Sequence, residues 1–158
     1  MKRVKLFLIC LFFPSLMVLA QNSDFTIQLQ KIAGSTNWKM DMQLNMGLNT
    51  GSGIVLELPA GVHSVPVSIK IDDKEFWLKE SSEPVTNDSI IHWERTDSTL
   101  VLRFNSENTP QSGMLYLDCM AQVSGKTNGN VLFTAKSMVN NNSQNLETIA
   151  TTNVNIAQ

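Results

Sequence analysis

Few side chains in this sequence could carry out acid–base or nucleophilic chemistry. Histidine is the commonest general acid or base, and the chain has two, His63 and His92. His92 lies on the polar phase of a predicted strand and His63 follows the turn Pro59-Ala60-Gly61, so both are expected to be solvated. A zinc site needs three or four His or Cys ligands, which this small and scattered supply does not provide. The sequence therefore predicts a protein that is not an enzyme, with no catalytic residue, cofactor or metal.

Cys119 is the only cysteine after residue 20, so it has no partner for an internal disulfide. It alternates in phase with the apolar residues Leu115, Leu117, Ala121 and Val123, which predicts that it faces the interior. A buried thiol behaves as a small apolar side chain, whereas an exposed thiol would be reactive or would pair with another molecule. The alternation favours burial, and stability must then come from an ordinary packed core.

Two groups of residues could bind a ligand without catalysis. Asp72-Asp73 with Glu75 is the densest set of carboxylates, and acidic loops bind calcium in many extracellular domains. The spacing does not match an EF-hand, so a weak calcium site and a solvated turn both stay open. The neighbours Phe76 and Trp77 must point to opposite faces of a strand, so one of them is expected to be outward. We nominate Trp77 as a glycan contact, because an exposed ring can stack on a sugar.

Short signals for covalent modification occur in two predicted loops. Asp88-Ser89-Ile90 and Asp97-Ser98-Thr99 match the Asp-Ser/Thr-apolar-or-Thr signal for O-glycosylation of exported Bacteroidetes proteins, which makes Ser89 and Ser98 candidate acceptors. Asn87-Asp88-Ser89 and Asn141-Asn142-Ser143 are N-glycosylation sequons, which have meaning only in a eukaryotic secretory pathway. Matches of this length often arise by chance.

The first twenty residues have the features of a secretory signal peptide. Three basic residues precede an apolar run from Leu6 to Leu19, and small residues precede a cleavage position after Ala20. The run is shorter than the ~20 residues of a bilayer span and contains Pro14, which disfavours a membrane anchor. Cys10 lies in the middle of the run, which disfavours a lipoprotein. We expect residues 21–158 to form one exported domain without a transmembrane segment, secreted, periplasmic or on the cell surface.

The charge balance argues against two classes of partner. The signal segment carries three of the twelve Lys and Arg and none of the fourteen Asp and Glu, which leaves the remainder with a net charge of −5. Nucleic-acid binding depends on clustered Lys and Arg that neutralise phosphates, and the chain has no such patch. An anionic membrane surface is disfavoured for the same reason.

Alternation of apolar and polar residues predicts that strands position these side chains. Between Trp38 and Leu48, six apolar residues alternate with polar ones, which predicts a half-buried strand because a helix would scatter them around its circumference. No segment after residue 20 is more typical of a helix. About ten strands are predicted: Phe25–Ile32, Trp38–Leu48, Ile54–Leu58, Val65–Ile71, Glu75–Lys79, Ser89–Arg95, Thr99–Phe104, Met114–Val123, Val131–Val139 and Thr148–Ile156.

Short strands with brief connections predict an all-β antiparallel domain, a sandwich of two sheets stacked face to face. The inward phase is bulky, which favours a filled core over a barrel around a ligand. Met40, Met42 and Met46 share the apolar phase and are predicted to fill that core, although a Met-lined binding surface is the alternative. Met120 falls on the opposite phase and is predicted to be exposed. The predicted inward set is Trp38, Met40, Met42, Leu44, Ile91, Trp93, Leu102, Phe104, Leu115 and Leu117.

Three local features resemble the immunoglobulin-like modules of bacterial cell-surface proteins, of the adhesin-repeat or cohesin-like type. They are Leu58-Pro59-Ala60-Gly61-Val62, the strand that contains Trp93, and Ser112-Gly113 before a late apolar strand. The resemblance implies an exported, non-catalytic protein that binds a protein or cell-envelope partner through edge strands or loops. Two alternatives stay open, a structural subunit of a surface appendage and a glycan-binding module.

Overall fold

The computed structural model describes residues 24–47, 52–105, 112–139 and 145–157. The predicted signal peptide, Leu48 and most of the Asn-rich loop lie outside these ranges. The described residues form no helix that is long and apolar enough to cross a membrane. They form ten strands: β1 (Phe25–Lys31), β2 (Asn37–Asn45), β3 (Gly53–Glu57), β4 (Val62–Ile71), β5 (Lys74–Glu80), β6 (Ile90–Arg95), β7 (Thr99–Arg103), β8 (Met114–Val123), β9 (Gly129–Met138) and β10 (Leu146–Ile156).

The strands build two sheets that share β5. The hydrogen-bonded order is β1-β2-β8-β4-β5-β6-β7-β3-β9-β10. β5 pairs with β4 as far as Phe76 and with β6 from Trp77 onward. We call β1, β2, β8, β4 and the first half of β5 the first sheet, and the remaining strands the second sheet. β1 and β10, at the two ends of the order, also contact each other, so the sandwich is close to a closed barrel.

The core lies between the two sheets and confirms the predicted inward phase. Every residue predicted to face inward is buried, and Met46, Cys119 and Ala121 are buried with them. One continuous cluster joins side chains from both sheets. Full burial of one large apolar side chain contributes about 1.5–3 kcal/mol. The three methionines therefore fill the core, and the alternative of a Met-lined binding surface is wrong for them.

Two turns use the left-handed backbone that the sequence predicts. Gly61 has φ +80°, and a Cβ there would lie 2.4 Å from Thr127 Oγ1, so glycine allows the β3–β4 turn to pack against the β8–β9 turn. Asp72 has φ +50° in the β4–β5 turn. Its backbone N–H donates to the Met114 carbonyl at 2.8 Å, and its Oδ1 accepts the Met114 N–H at 2.9 Å. The aspartate thus fixes this turn to the start of β8.

One strand pair departs from the predicted antiparallel pattern. β5 and β6 are parallel, with Trp77 opposite Ile90 and Glu80 opposite Trp93, whereas the other pairs among the described residues are antiparallel. A parallel neighbour requires the chain to return across the sheet before the second strand begins. Residues 81–89 make this return, and Ser81 N–H donates to the Trp93 carbonyl at 3.0 Å.

The returning segment overturns the prediction for His92. The imidazole is on the outer face of the second sheet, as the alternation predicts, but it is only 6% exposed. Its Nδ1 lies 2.9 Å from the Glu83 carbonyl oxygen. Because a carbonyl oxygen can only accept, Nδ1 carries the proton in this contact. The expectation of a solvated His92 is therefore wrong, because the chain between β5 and β6 covers it.

Candidate functional site

The structure does not assemble a catalytic pair from the two histidines. His63 is exposed, as predicted, although it lies within β4 rather than in the turn before it. His92 is buried on the outer face of β6, in the other sheet. The described residues contain no group of three or more His, Cys, Asp or Glu that could hold a metal ion. No arrangement of acid, base and nucleophile therefore emerges from the residues with which the sequence analysis began.

Cys119 is buried in the core, as predicted. Burial raises the pKa of its thiol to about 12, and the neighbouring Ser64 hydroxyl offsets part of the rise. The thiolate is the nucleophilic and metal-binding form of cysteine, so a thiol with this pKa is inert at neutral pH. Cys119 serves as a small apolar side chain of the core.

The calcium hypothesis for the Asp72-Asp73 turn gains no support from the geometry. The Asp72 carboxylate already accepts the Met114 N–H. A Cβ on Gly113 would lie 2.5 Å from Asp72 Oδ2, so the chain at the start of β8 crowds the second oxygen. The carboxylate thus has a structural use in joining two turns. Calcium binding at this turn stays a hypothesis.

The surface best built for recognition is a groove of about 820 Å³ on the outer face of the first sheet. The register of the five strands brings polar side chains into two rows that cross the sheet. The first row contains Thr26, Gln43, Tyr116, Lys70 and Glu75. The second row contains Gln28, Asp41, Asp118 and Ser68. We call this surface the groove face. It presents hydroxyl, amide and carboxylate groups on hydrogen-bonded strands rather than on loops.

Trp77 forms one wall of the groove and is 77% exposed. Its neighbour Phe76 is buried, which settles that Trp77 is the outward aromatic of the pair. The backbone N–H of Trp77 donates to the Ser89 carbonyl at 2.8 Å, so the backbone that carries the indole is fixed. Val67, the extra residue of a bulge between Pro66 and Ser68, is also exposed beside the groove. The groove therefore combines a polar floor with an apolar wall.

Most charged groups on the groove face have a partner. Lys39 Nζ lies 2.9 Å from the Asp41 carboxylate, and the hydrogen bond and charge of Asp41 raise the pKa of Lys39. Lys70 Nζ lies 4.5 Å from the centre of the Tyr116 ring. Asp118 accepts a hydrogen bond of 2.8 Å from the Ser68 hydroxyl. Lys39 is thus held in an ion pair, whereas Lys70 makes a cation–π contact.

Two carboxylates nevertheless lie directly opposite each other on this face. Asp41 on β2 is the register partner of Asp118 on β8. Like charges in directly opposed positions destabilise a sheet, by an amount comparable with the ~0.2–1 kcal/mol of a favourable pair. This arrangement lowers stability while it places two groups of acceptor oxygens side by side. Such a conflict is common where a surface serves binding.

Sequence reasoning found Trp77 but missed the polar side chains of the groove. Alternation alone places each of these side chains at the surface, because they lie on the outward phase of predicted strands. They are Asp41, Lys70, Tyr116 and Asp118. Their proximity depends on β2, β8 and β4 being neighbours, and these strands are far apart in the sequence. A local pattern cannot reveal that order.

The candidate modification sites lie on the surface of the second sheet's connections. Ser89 precedes β6 and Ser98 lies in the β6–β7 turn, and both are exposed. The Thr96 hydroxyl accepts the backbone N–H groups of Ser98 and Thr99, so that turn is ordered. O-glycosylation at Ser89 and Ser98 stays a prediction. The sequon at Asn141 lies outside the described residues.

Comparison with known proteins bears on the fold of the chain. No protein-family model matches the chain, and no curated protein matches it. The structure of domains D2 and D3 of the major pilin SpaD from Corynebacterium diphtheriae is similar to this chain with a TM-score of 0.50 at 9% identity, and the match covers 84% of this chain and 51% of that one. The chain shares the immunoglobulin-like fold of a bacterial pilin domain. It spans about half the length of the pilin structure.

Two further structures are similar over most of both chains. The collagen-binding subdomain of the Enterococcus faecalis surface protein ACE has a TM-score of 0.46 at 11% identity, over 86% of this chain and 99% of that one. The collagen-binding domain of a Staphylococcus aureus adhesin has a TM-score of 0.45 at 7% identity, over 85% and 97% of the two chains. The TM-scores of these two structures are below 0.5 and the identities are low, so the function is argued from the residues of this chain.

Proposed function

We propose that this protein is a non-catalytic binding module of the bacterial cell surface that acts through the groove face. The observation that carries the proposal is the groove itself, a concavity of about 820 Å³ with a polar floor and the exposed indole of Trp77 in its wall. Binding sites are typically concave, pre-formed and lined by a few well-placed polar groups. The immunoglobulin-like fold and the predicted signal peptide support a location outside the cytosol.

The electrostatics of the groove face favour binding over chemistry. Asp41 is paired with Lys39, and Asp118 accepts a hydrogen bond from the Ser68 hydroxyl. A general acid or base needs a reacting proton within hydrogen-bond reach and a pKa matched to its task. A binding surface needs only fixed donors and acceptors, which strands provide with little motion. This supports a module that recognises its partner without changing it.

Binding to the native cell envelope tests the proposal. Ser68→Arg places a long side chain in the groove, where Asp118 can pair with it, and we expect it to weaken binding of the full chain at least tenfold. The matched control is Leu132→Arg, because Leu132 is an exposed apolar residue on the outer face of β9 in the second sheet. Its binding should equal that of the wild type.

Two results would contradict the proposal. One is wild-type binding by Ser68→Arg, and the other is an equal loss in both variants, which would indicate a recognition surface elsewhere.

A structural subunit of a surface appendage is the second candidate, and one feature favours it. β10 is the last strand in the hydrogen-bonded order, and although it contacts β1, no strand pairing joins the two among the described residues. Its eleven residues include a single charge, Glu147, and no proline. Long edge strands without such protection can pair with another chain. Concentration-dependent polymerisation in sedimentation measurements would select this candidate, and a constant sedimentation coefficient would exclude it.

A further inference from the structure

We propose that the ligand of the groove face is a neutral oligosaccharide, with one pyranose ring stacked on Trp77 and its hydroxyls bonded to the polar rows. This inference rests on the proposed function and names the chemical class of the partner. Three independent features of the groove lead to it: the exposed indole, the balance of charge and the state of the neighbouring strand edge.

The exposed indole is the first feature. Trp77 is 77% exposed, whereas the preceding residue of the same strand, Phe76, is buried. Tryptophan offers a large apolar surface and one N–H donor, so leaving it in water forgoes a favourable contact. The C–H face of a pyranose is a flat apolar surface that can cover the ring. The sugar's hydroxyls then extend beyond the ring edge, toward Ser68 and Asp118 on the floor of the same groove.

Charge balance is the second feature. Two lysines and three carboxylates line the groove, and Lys39 is paired with Asp41 while Lys70 lies over the Tyr116 ring. Because carboxylates outnumber lysines in the groove and Lys39 is already paired with Asp41, an anionic ligand would meet net repulsion, and a ligand of either charge would lose hydration on entering the groove. A neutral ligand rich in hydroxyl groups meets neither penalty.

The two opposed carboxylates suit such a ligand. Hydroxyl groups of a sugar can donate to Asp41 and Asp118, and a hydrogen bond to a charged acceptor contributes about 1.5–3 kcal/mol. Gln28 and Gln43 lie in the same rows and supply both donors and acceptors. Binding would thus relieve part of the repulsion that the register of β2 and β8 creates.

The neighbouring strand edge is the third feature, and it disfavours an extended peptide. β5 leaves β4 after Phe76, so the first half of β4 has no hydrogen-bonded strand on that side among the described residues. A peptide would bind there by adding a strand. Pro66 lacks an N–H, and the bulge at Val67 breaks the register, two devices that protect an edge from pairing. Recognition therefore falls to the side chains of the groove.

Two measurements test the ligand class. The full chain is applied to a panel of neutral oligosaccharides and of matched sialylated and uronate-containing ones. It is also applied to native envelope that has been treated with periodate, which cleaves the vicinal diols of sugars, or with protease. We expect neutral glycans to be bound in preference to acidic ones. We also expect periodate, but not protease, to remove envelope binding.

Variants tie that binding to the groove. Trp77→Ala should reduce glycan affinity at least tenfold, Trp77→Phe should retain part of it, and Leu132→Ala should have no effect. Asp118→Asn should weaken glycan binding at least threefold and yet raise the melting temperature, because it removes a like-charge contact while the Ser68 bond can persist. A merely structural role for Asp118 would not produce opposite changes in binding and stability.

The outcomes separate the two proposals. If no neutral glycan binds, or if protease removes envelope binding and periodate does not, the glycan inference is wrong. The proposed function then still stands if Ser68→Arg abolishes envelope binding. If Trp77→Ala binds neutral glycans as the wild type does, the stacking role of Trp77 is wrong.

Discussion

Trp93→Ala is expected to lower the free energy of unfolding by about 3–5 kcal/mol, the range for removing a large aromatic side chain from a packed core. Trp93 lies on β6, faces the interior and belongs to the cluster that joins the two sheets. The remaining cavity would adjoin side chains that cannot collapse into it without moving a strand. Urea denaturation followed by circular dichroism measures the change.

Trp77→Ala is the matched control, because it removes the same side chain from the opposite environment. Trp77 is 77% exposed, and surface substitutions usually change stability by less than ~0.5 kcal/mol. A loss of similar size in both variants would contradict the assignment of Trp77 to the surface and of Trp93 to the core.

Alkaline pH is expected to destabilise the protein through Cys119. Its pKa rises from 9.0 to about 12 on folding because the thiol is buried. Below pH 9 the thiol is protonated in both states, so it then has no adverse effect on stability. Above pH 9 the unfolded chain releases the proton first, and the folded state loses stability until the pH passes the folded pKa.

The size of this effect can be isolated with Cys119→Ala. Each pKa unit corresponds to about 1.4 kcal/mol, so between pH 9 and pH 12 the wild type should lose about 4 kcal/mol more than the variant. Urea titrations at several pH values give the two slopes. Parallel slopes for the wild type and Cys119→Ala would mean that the thiol is accessible to water.

The strands could be predicted from the sequence because each is encoded locally. β8 shows this most clearly, since Leu115, Leu117, Cys119 and Ala121 are buried while Met120 on the opposite phase is exposed. The predicted boundaries of this strand, Met114–Val123, are those of the structure. Alternation of apolar and polar residues shows which side chains of a strand face the core. The same rule applies to both sheets, because they share one core.

The pairing of strands could not be predicted in the same way. Antiparallel neighbours joined by tight turns follow from turn chemistry. The parallel contact of β5 with β6 depends instead on a nine-residue return, 81–89, whose turn residues do not indicate how the next strand will pair. The burial of His92 has the same origin. Alternation placed it on the outer face correctly, and only the path of the chain above that face determines whether water reaches it.

The groove face could be predicted from the sequence only in part. Trp77 could be nominated because two adjacent aromatics in a strand force one outward. The partners of Trp77 come from β2, β4 and β8, and the order of these strands arises from long-range packing. The sequence shows which polar residues face outward on each strand. Only the register between neighbouring strands brings them together into one groove.

Hydroxyl-radical footprinting of the full chain, free and bound to native envelope, tests most directly whether the groove face is the recognition surface. Trp77 lines the groove face and is exposed, Met120 is exposed on the first sheet, and Leu132 is exposed on the second. We expect strong protection of Trp77 on binding, with unchanged labelling of Leu132. Protection of Leu132 with no change at Trp77 would show that recognition takes place on another surface.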